Sequence, residues 1–197
     1  MRVPAPLRVT LSLLLVIGAL LALTRLTERT PTVDQISSEP FRIATTLGRP
    51  TTFRIGTVTV TGISAATELQ QTTPPLRTPG IWLVVTLEFI PSTEAVTLPD
   101  LHLEGSDGTT YGGRQAGNMV GCGPAQPGFV LSCSLAMELP PDALAGATLL
   151  IPANRIGVRN PDDVVAVDLD LDAARAQELL ATAGPVTLPE NVVTRPA

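Results

Sequence analysis

Five apolar residues at strict two-residue spacing, Ile81, Leu83, Val85, Leu87 and Phe89, constrain this chain more than anything else in it. Side chains of an extended strand point alternately to opposite faces, so these five make one unbroken apolar face. Trp82, Val84, Thr86, Glu88 and Ile90 point the other way. A helix would scatter the same set around its circumference. The segment is therefore a strand whose odd-numbered face lies in a core. Trp82, the one tryptophan, falls on the second face, where a covering loop is expected rather than a binding platform.

The pattern recurs. Phe129, Leu131, Cys133, Leu135, Met137 and Leu139 share one face, with Val130, Ser132, Ser134, Ala136 and Glu138 opposite. Ala147, Leu149 and Ile151 line a further strand, and Val165, Val167, Leu169 and Leu171 alternate with Ala166, Asp168 and Asp170. Leu101 and Leu103 are followed by the turn sequence Ser106-Asp107-Gly108, which reads as a hairpin. Residues 41–44 fit a short first strand. In residues 51–63 the apolar phase slips between Phe53/Ile55 and Val58/Val60, which predicts a bulge near Gly56. Pro74, Pro75 and Pro79 mark residues 70–80 as a loop, since proline cannot donate to a central ladder. Near the end, Asp172 can cap a helix with Ala176, Leu179, Leu180 and Ala183 on one side, stopped by Gly184-Pro185, before an extended or disordered tail. Several short strands with turns between them argue for an antiparallel β-sandwich carrying one docked helix.

The amino-terminal part is different. Residues 9–24 form a charge-free apolar run between Arg8 and Arg25. As a helix this run is roughly 24 Å long, a little short of a bilayer core unless the flanking arginines snorkel. It lacks an Ala-x-Ala cleavage site and reads as an uncleaved signal anchor rather than a removed leader, with the amino terminus inside and the body outside. Gly18 and Ala22 have the small-x-x-x-small spacing of self-associating membrane helices. The expected organisation is an anchor over 1–26, a linker over 27–40, a sandwich over 41–171, and a helix with tail over 172–197. All thirteen Lys and Arg residues are arginine, and the net charge is -5, so no basic surface for nucleic acid is expected.

Three stretches carry a family resemblance: Thr78-Pro79-Gly80-Ile81-Trp82-Leu83-Val84-Val85-Thr86-Leu87, Gly105-Ser106-Asp107-Gly108-Thr109-Thr110-Tyr111, and Pro127-Gly128-Phe129 leading to Met137-Glu138-Leu139-Pro140. Through them the chain resembles the largely uncharacterised immunoglobulin-like domains of exported proteins of actinobacteria and other Gram-positive bacteria, and is similar to a secreted immunogenic antigen of mycobacteria. The resemblance spans about 41–171 and contains no active-site motif. It implies an immunoglobulin-like antiparallel β-sandwich outside the cytoplasm. With the flanking segments, the expected fold class is all-β, preceded by one transmembrane helix and followed by a short helix.

Cys122 and Cys133 are the only cysteines. Outside the membrane a structural disulfide is expected; a redox-active pair would call for Cys-x-x-Cys spacing and a neighbour that lowers a thiol pKa. His102, the one histidine, cannot by itself supply the three or four ligands of a zinc site. No Gly-x-Ser-x-Gly motif is present, so hydrolase chemistry is not expected. Asp168, Asp170 and Asp172 read as a solvated face or a charge-guarded edge rather than a calcium site. The 112–128 excursion is the candidate binding loop, with Tyr111, Arg114, Asn118, Met119 and Gln126 as its contact residues. The expected function is a membrane-anchored, non-catalytic interaction module of the cell envelope, without cofactor. Its expected partners are membrane lipid, through the anchor, and an envelope protein or wall component. The alternative is an accessory or assembly subunit of a membrane complex such as a transporter.

Overall fold

The alternating segment becomes the longest strand of the molecule, β4 (Leu76–Pro91). It lies between β3 (Gly56–Leu69) and β7 (Val130–Leu139), antiparallel to both. The computed structural model describes residues 16–18, 40–98, 101–112, 122–153 and 162–195. Around β4 a six-stranded sheet is completed by β2 (Thr51–Phe53), β10 (Gly184–Val186) and β11 (Val192–Thr194), in the order β10-β3-β4-β7-β11 with β2 beside β3. A second sheet has the order β1-β9-β8-β5-β6, from β1 (Phe41–Thr46), β5 (His102–Glu104), β6 (Thr110–Gly112), β8 (Thr148–Pro152) and β9 (Asp163–Asp168). Both sheets belong to one unit, Pro40–Ala197.

The faces predicted from alternation meet between the two sheets. Leu83, Val85, Leu87 and Phe89 of β4 and Leu131, Leu135, Met137 and Leu139 of β7 join Leu103, Leu149, Ile151, Val165 and Val167 of the second sheet in one buried core. Each such side chain contributes about 1.5–3 kcal/mol by leaving water. Helix α1 (Ala173–Ala181) adds Ala176, with Leu179 and Leu180 partly covered against the same core.

Part of the expected fold class is overturned. Among the described residues no helix is long and apolar enough to cross a membrane. A span needs about 20 apolar residues, and the run has sixteen before Arg25. Only residues 16–18 of that run are described, as a helical stretch with Val16 and Ile17 exposed, and Ala22 of the small-residue pair lies outside the described residues. The sandwich is also not wholly antiparallel, because β1 runs parallel to β9 and β10 parallel to β3. Nor does the chain leave the fold after α1, since β10 and β11 return to opposite edges of the six-stranded sheet.

Two local expectations change for physical reasons. The phase slip near Gly56 is a hairpin rather than a bulge, with β2 and β3 pairing across Arg54 and Ile55. Gly56 is needed there by close approach, because a Cβ would sit 2.3 Å from the Ile90 carbonyl oxygen. Pro79 lies within β4 despite its missing N–H. The β3–β4 register shifts between Ala66 and Glu68, whose partners are Trp82 and Arg77, so Pro79 falls in a gap in that ladder. Gly80 follows with its Cα pressed on β7, where a Cβ would meet the Leu139 carbonyl oxygen at 2.3 Å.

Trp82 is fully buried on the outer face of the six-stranded sheet, in a second cluster with Ala66, Leu69, Val84, Ala136 and Leu188. Its cover is the connection from β10 to β11.

Candidate functional site

Cys122 and Cys133 are joined in a disulfide with Cα atoms 5.6 Å apart. Alternation places Cys133 inward on β7, where it is buried in the core. Cys122 packs partly buried against that core. The bond thus fastens the carboxyl-terminal end of the 112–128 excursion to the body. A second clamp follows at once, because Ala125 and Val96 exchange backbone hydrogen bonds of 3.1 and 2.8 Å. A reverse turn then leads into β7, with the Phe129 N–H donating to the Gln126 carbonyl at 3.2 Å.

Of the residues chosen from sequence, Tyr111 sits on β6 opposite Leu103, half-buried and packed on the core. Gln126 is exposed at the turn before β7. Arg114, Asn118 and Met119 lie outside the described residues. His102 is half-buried on β5 between the ladders to Gly112 and Leu150. Among the described residues no group of three or more His, Cys, Asp or Glu could hold a metal ion.

The aspartates do not form a continuous strand face. β9 ends at Asp168, whose carboxylate accepts the Asp170 N–H at 2.8 Å. Asp170 adopts the left-handed region at φ 52°, which aspartate tolerates better than most residues. Asp172 caps α1 by accepting the Arg175 N–H at 2.8 Å. Arg175 closes the corner, donating to the Asp170 carbonyl at 3.1 Å and pairing with its carboxylate. Each acid therefore turns or caps backbone. Both partners of the pair face solvent, so it adds little stability.

This corner borders a cleft of about 410 Å³ beside α1. Leu47 from the β1–β2 turn, Ile63 from β3, and Leu169, Leu171 and Leu179 form its apolar lining, while Asp170, Arg175, Glu178 and Thr182 supply its polar groups. Leu47, Ile63 and Leu179 are far apart in the chain, so the only local mark of this cleft in the sequence is the run of aspartates. Its lining suits an apolar group with a polar tip.

Elsewhere on the second sheet, Arg42 Nη1 and Nη2 donate to the Glu104 carboxylate, at 3.0 and 2.6 Å. That hydrogen-bonded cation holds the Glu104 carboxyl below its ordinary value. Asp107 is lowered in the same direction by the Thr109 N–H and hydroxyl in the hairpin turn.

No family model matches the chain, and no curated protein matches it. The crystal structure of the yjhA protein from Bacillus subtilis is similar to it with a TM-score of 0.44 and 12% sequence identity, covering 63% of this chain and 99% of that chain.

Proposed function

We propose that this protein is a non-catalytic interaction module that works outside the cytoplasm in the cell envelope, meeting an envelope protein or wall component through its 112–128 segment. The observation that carries this reading is the disulfide between Cys122 and Cys133. Disulfides persist in oxidising compartments, which supports an extracytoplasmic address. The same bond fixes one end of a Gly- and Pro-bearing segment whose other end leaves β6. A segment tied to the body at its ends loses less entropy on binding than a free chain, which favours recognition. The resemblance to exported immunoglobulin-like domains supports the same assignment.

The test is a photocrosslinking residue placed at Gln126 in the full chain, in its native cells. The expected result is a discrete adduct with an envelope protein or wall glycan, weakened when Cys122 and Cys133 are both replaced by alanine. Adducts no more abundant than those from the same probe at exposed Thr52 would overturn the reading.

The cleft beside α1 favours a second reading, an accessory subunit of a membrane complex that docks there. In that case Ile63→Glu would abolish capture while the Gln126 probe stayed silent.

A further inference from the structure

We propose that residues 184–194 are a displaceable strap, and that the sheet face beneath them is a docking groove for an extended, leucine-anchored segment of a partner protein. The strap starts as β10 on one edge of the six-stranded sheet and ends as β11 on the other, crossing the outer face between them. Its hold at each end is short. β10 has three residues, includes Pro185, and shifts register between Gly184 and Pro185. β11 has three residues, all exposed, with Val192 at 52% and Val193 at 55%. Strands held by so few pairs open at far lower free energy than a central strand such as β4.

What lies beneath is apolar and closely packed: Trp82 and Ala66 are fully buried there beside Leu69, Val84 and Ala136. From the strap, only Leu188 is buried in this cluster, with Val186 packed beside it. Among the described residues, Trp82 Nε1–H is buried in this cluster without a hydrogen-bond partner, and both amide atoms of Gln71 are buried and likewise unmet. Gln71 follows Gln70, whose N–H donates to the Val186 carbonyl of the strap at 2.9 Å. A buried donor without an acceptor is costly, and the present strap does not relieve it.

The segment now in place defines the chemistry the groove accepts. It is an extended backbone that pairs main chain to main chain at both edges and inserts one leucine against Trp82. Strand addition of this kind draws affinity from backbone pairing and selectivity from the pocketed side chain. A partner must therefore offer an extended stretch with a leucine-sized residue and no charge at that position. The groove around Trp82 draws no residue from the 112–128 segment, although Asn191 of the strap lies beside Gly123, so peptide uptake in the groove and crosslinking at Gln126 test the two proposals separately.

The experiment uses the full chain and a fluorescent synthetic peptide with the sequence of residues 184–194. Two variants loosen the strap independently: Leu188→Ala removes the anchor, and Val193→Pro breaks the β11 ladder. Both should bind the peptide at least tenfold more tightly than the unaltered protein, and peptide carrying Leu188→Asp should not bind. Trp82 emission should shift to the red in Val193→Pro and return on peptide addition. In the unaltered protein, hydrogen exchange at the β11 amides should run at least 100-fold faster than at the β4 amides. Cooperatively folded variants that take up no peptide would overturn the proposal. So would β11 amides as protected as those of β4, or dimers formed by exchanged straps without peptide uptake.

Discussion

A methyl group at position 56 has nowhere to go. The Gly56 Cα faces the Ile90 carbonyl, an acceptor held by the β3–β4 ladder, so the strand itself would have to move. Overpacking costs about 1–3 kcal/mol, and a backbone obstacle puts Gly56→Ala at the upper end. Urea unfolding should show this as a lower midpoint with an unchanged slope. A second residue-scale effect depends on pH. Because Arg42 holds the Glu104 carboxyl below its ordinary value near 4.5, the folded state binds that proton less readily than the unfolded chain. The resulting stability is present above the ordinary value and is lost as pH falls through the lowered one. Both side chains reach water, so screening keeps the contribution under about 1 kcal/mol. Glu104→Gln should therefore lower stability slightly at neutral pH, and its difference from the unaltered protein should close in acid, as followed by melting from pH 7 to pH 2.

At the scale of elements, the disulfide and the helix cap each make a measurable claim. Replacing Cys122 and Cys133 together by alanine frees a loop of sequence separation 11, and the loss should be about 2–4 kcal/mol with the far-ultraviolet strand signal retained. Asp172→Ala removes the acceptor for the Arg175 N–H and should cost about 1 kcal/mol, read as a lower melting temperature. These elements were legible in sequence because their signals are local. Alternation marked β4, β7 and β9, the Ser106-Asp107-Gly108 turn marked the β5–β6 hairpin, and Asp172 marked the start of α1. Where two positions far apart decide the outcome, the sequence was silent. Pro79 sits in a strand only because β3 lacks matching residues opposite it, and β10 and β11 are too short for a period to show. The same holds for the sites. The cysteines were readable as a pair, whereas Leu47 and Ile63 become cleft residues only after folding. The aspartates were read as one face because continuing the strand to Leu171 hid the left-handed turn at Asp170.

For the whole molecule, the order of assembly matters as much as the contacts. β1 waits for β9, since Phe41 pairs with Asp163, and β10 and β11 join opposite edges of the six-stranded sheet from the far end of the chain. Pairings this distant must overcome loop-closure entropy before they gain stability, which places folding in the millisecond-to-second range of β-rich domains. The last elements to arrive are also the least embedded. The core between the sheets is built from β4, β7, β8 and β9, whereas the strap contributes Leu188 and Val186 to the separate cluster around Trp82. Two optical signals therefore report on different parts. Far-ultraviolet circular dichroism follows the sheets, and emission follows the environment of the single tryptophan, which lies outside the inter-sheet core. If the strap lifts as a unit, emission should shift red at lower urea than the loss of dichroism, and Leu188→Ala should widen the gap by moving the emission transition alone. Coincident curves for both proteins would mean that strap and sandwich unfold as one cooperative body, because two-state unfolding makes all probes superimpose. A displaceable strap requires the curves to separate.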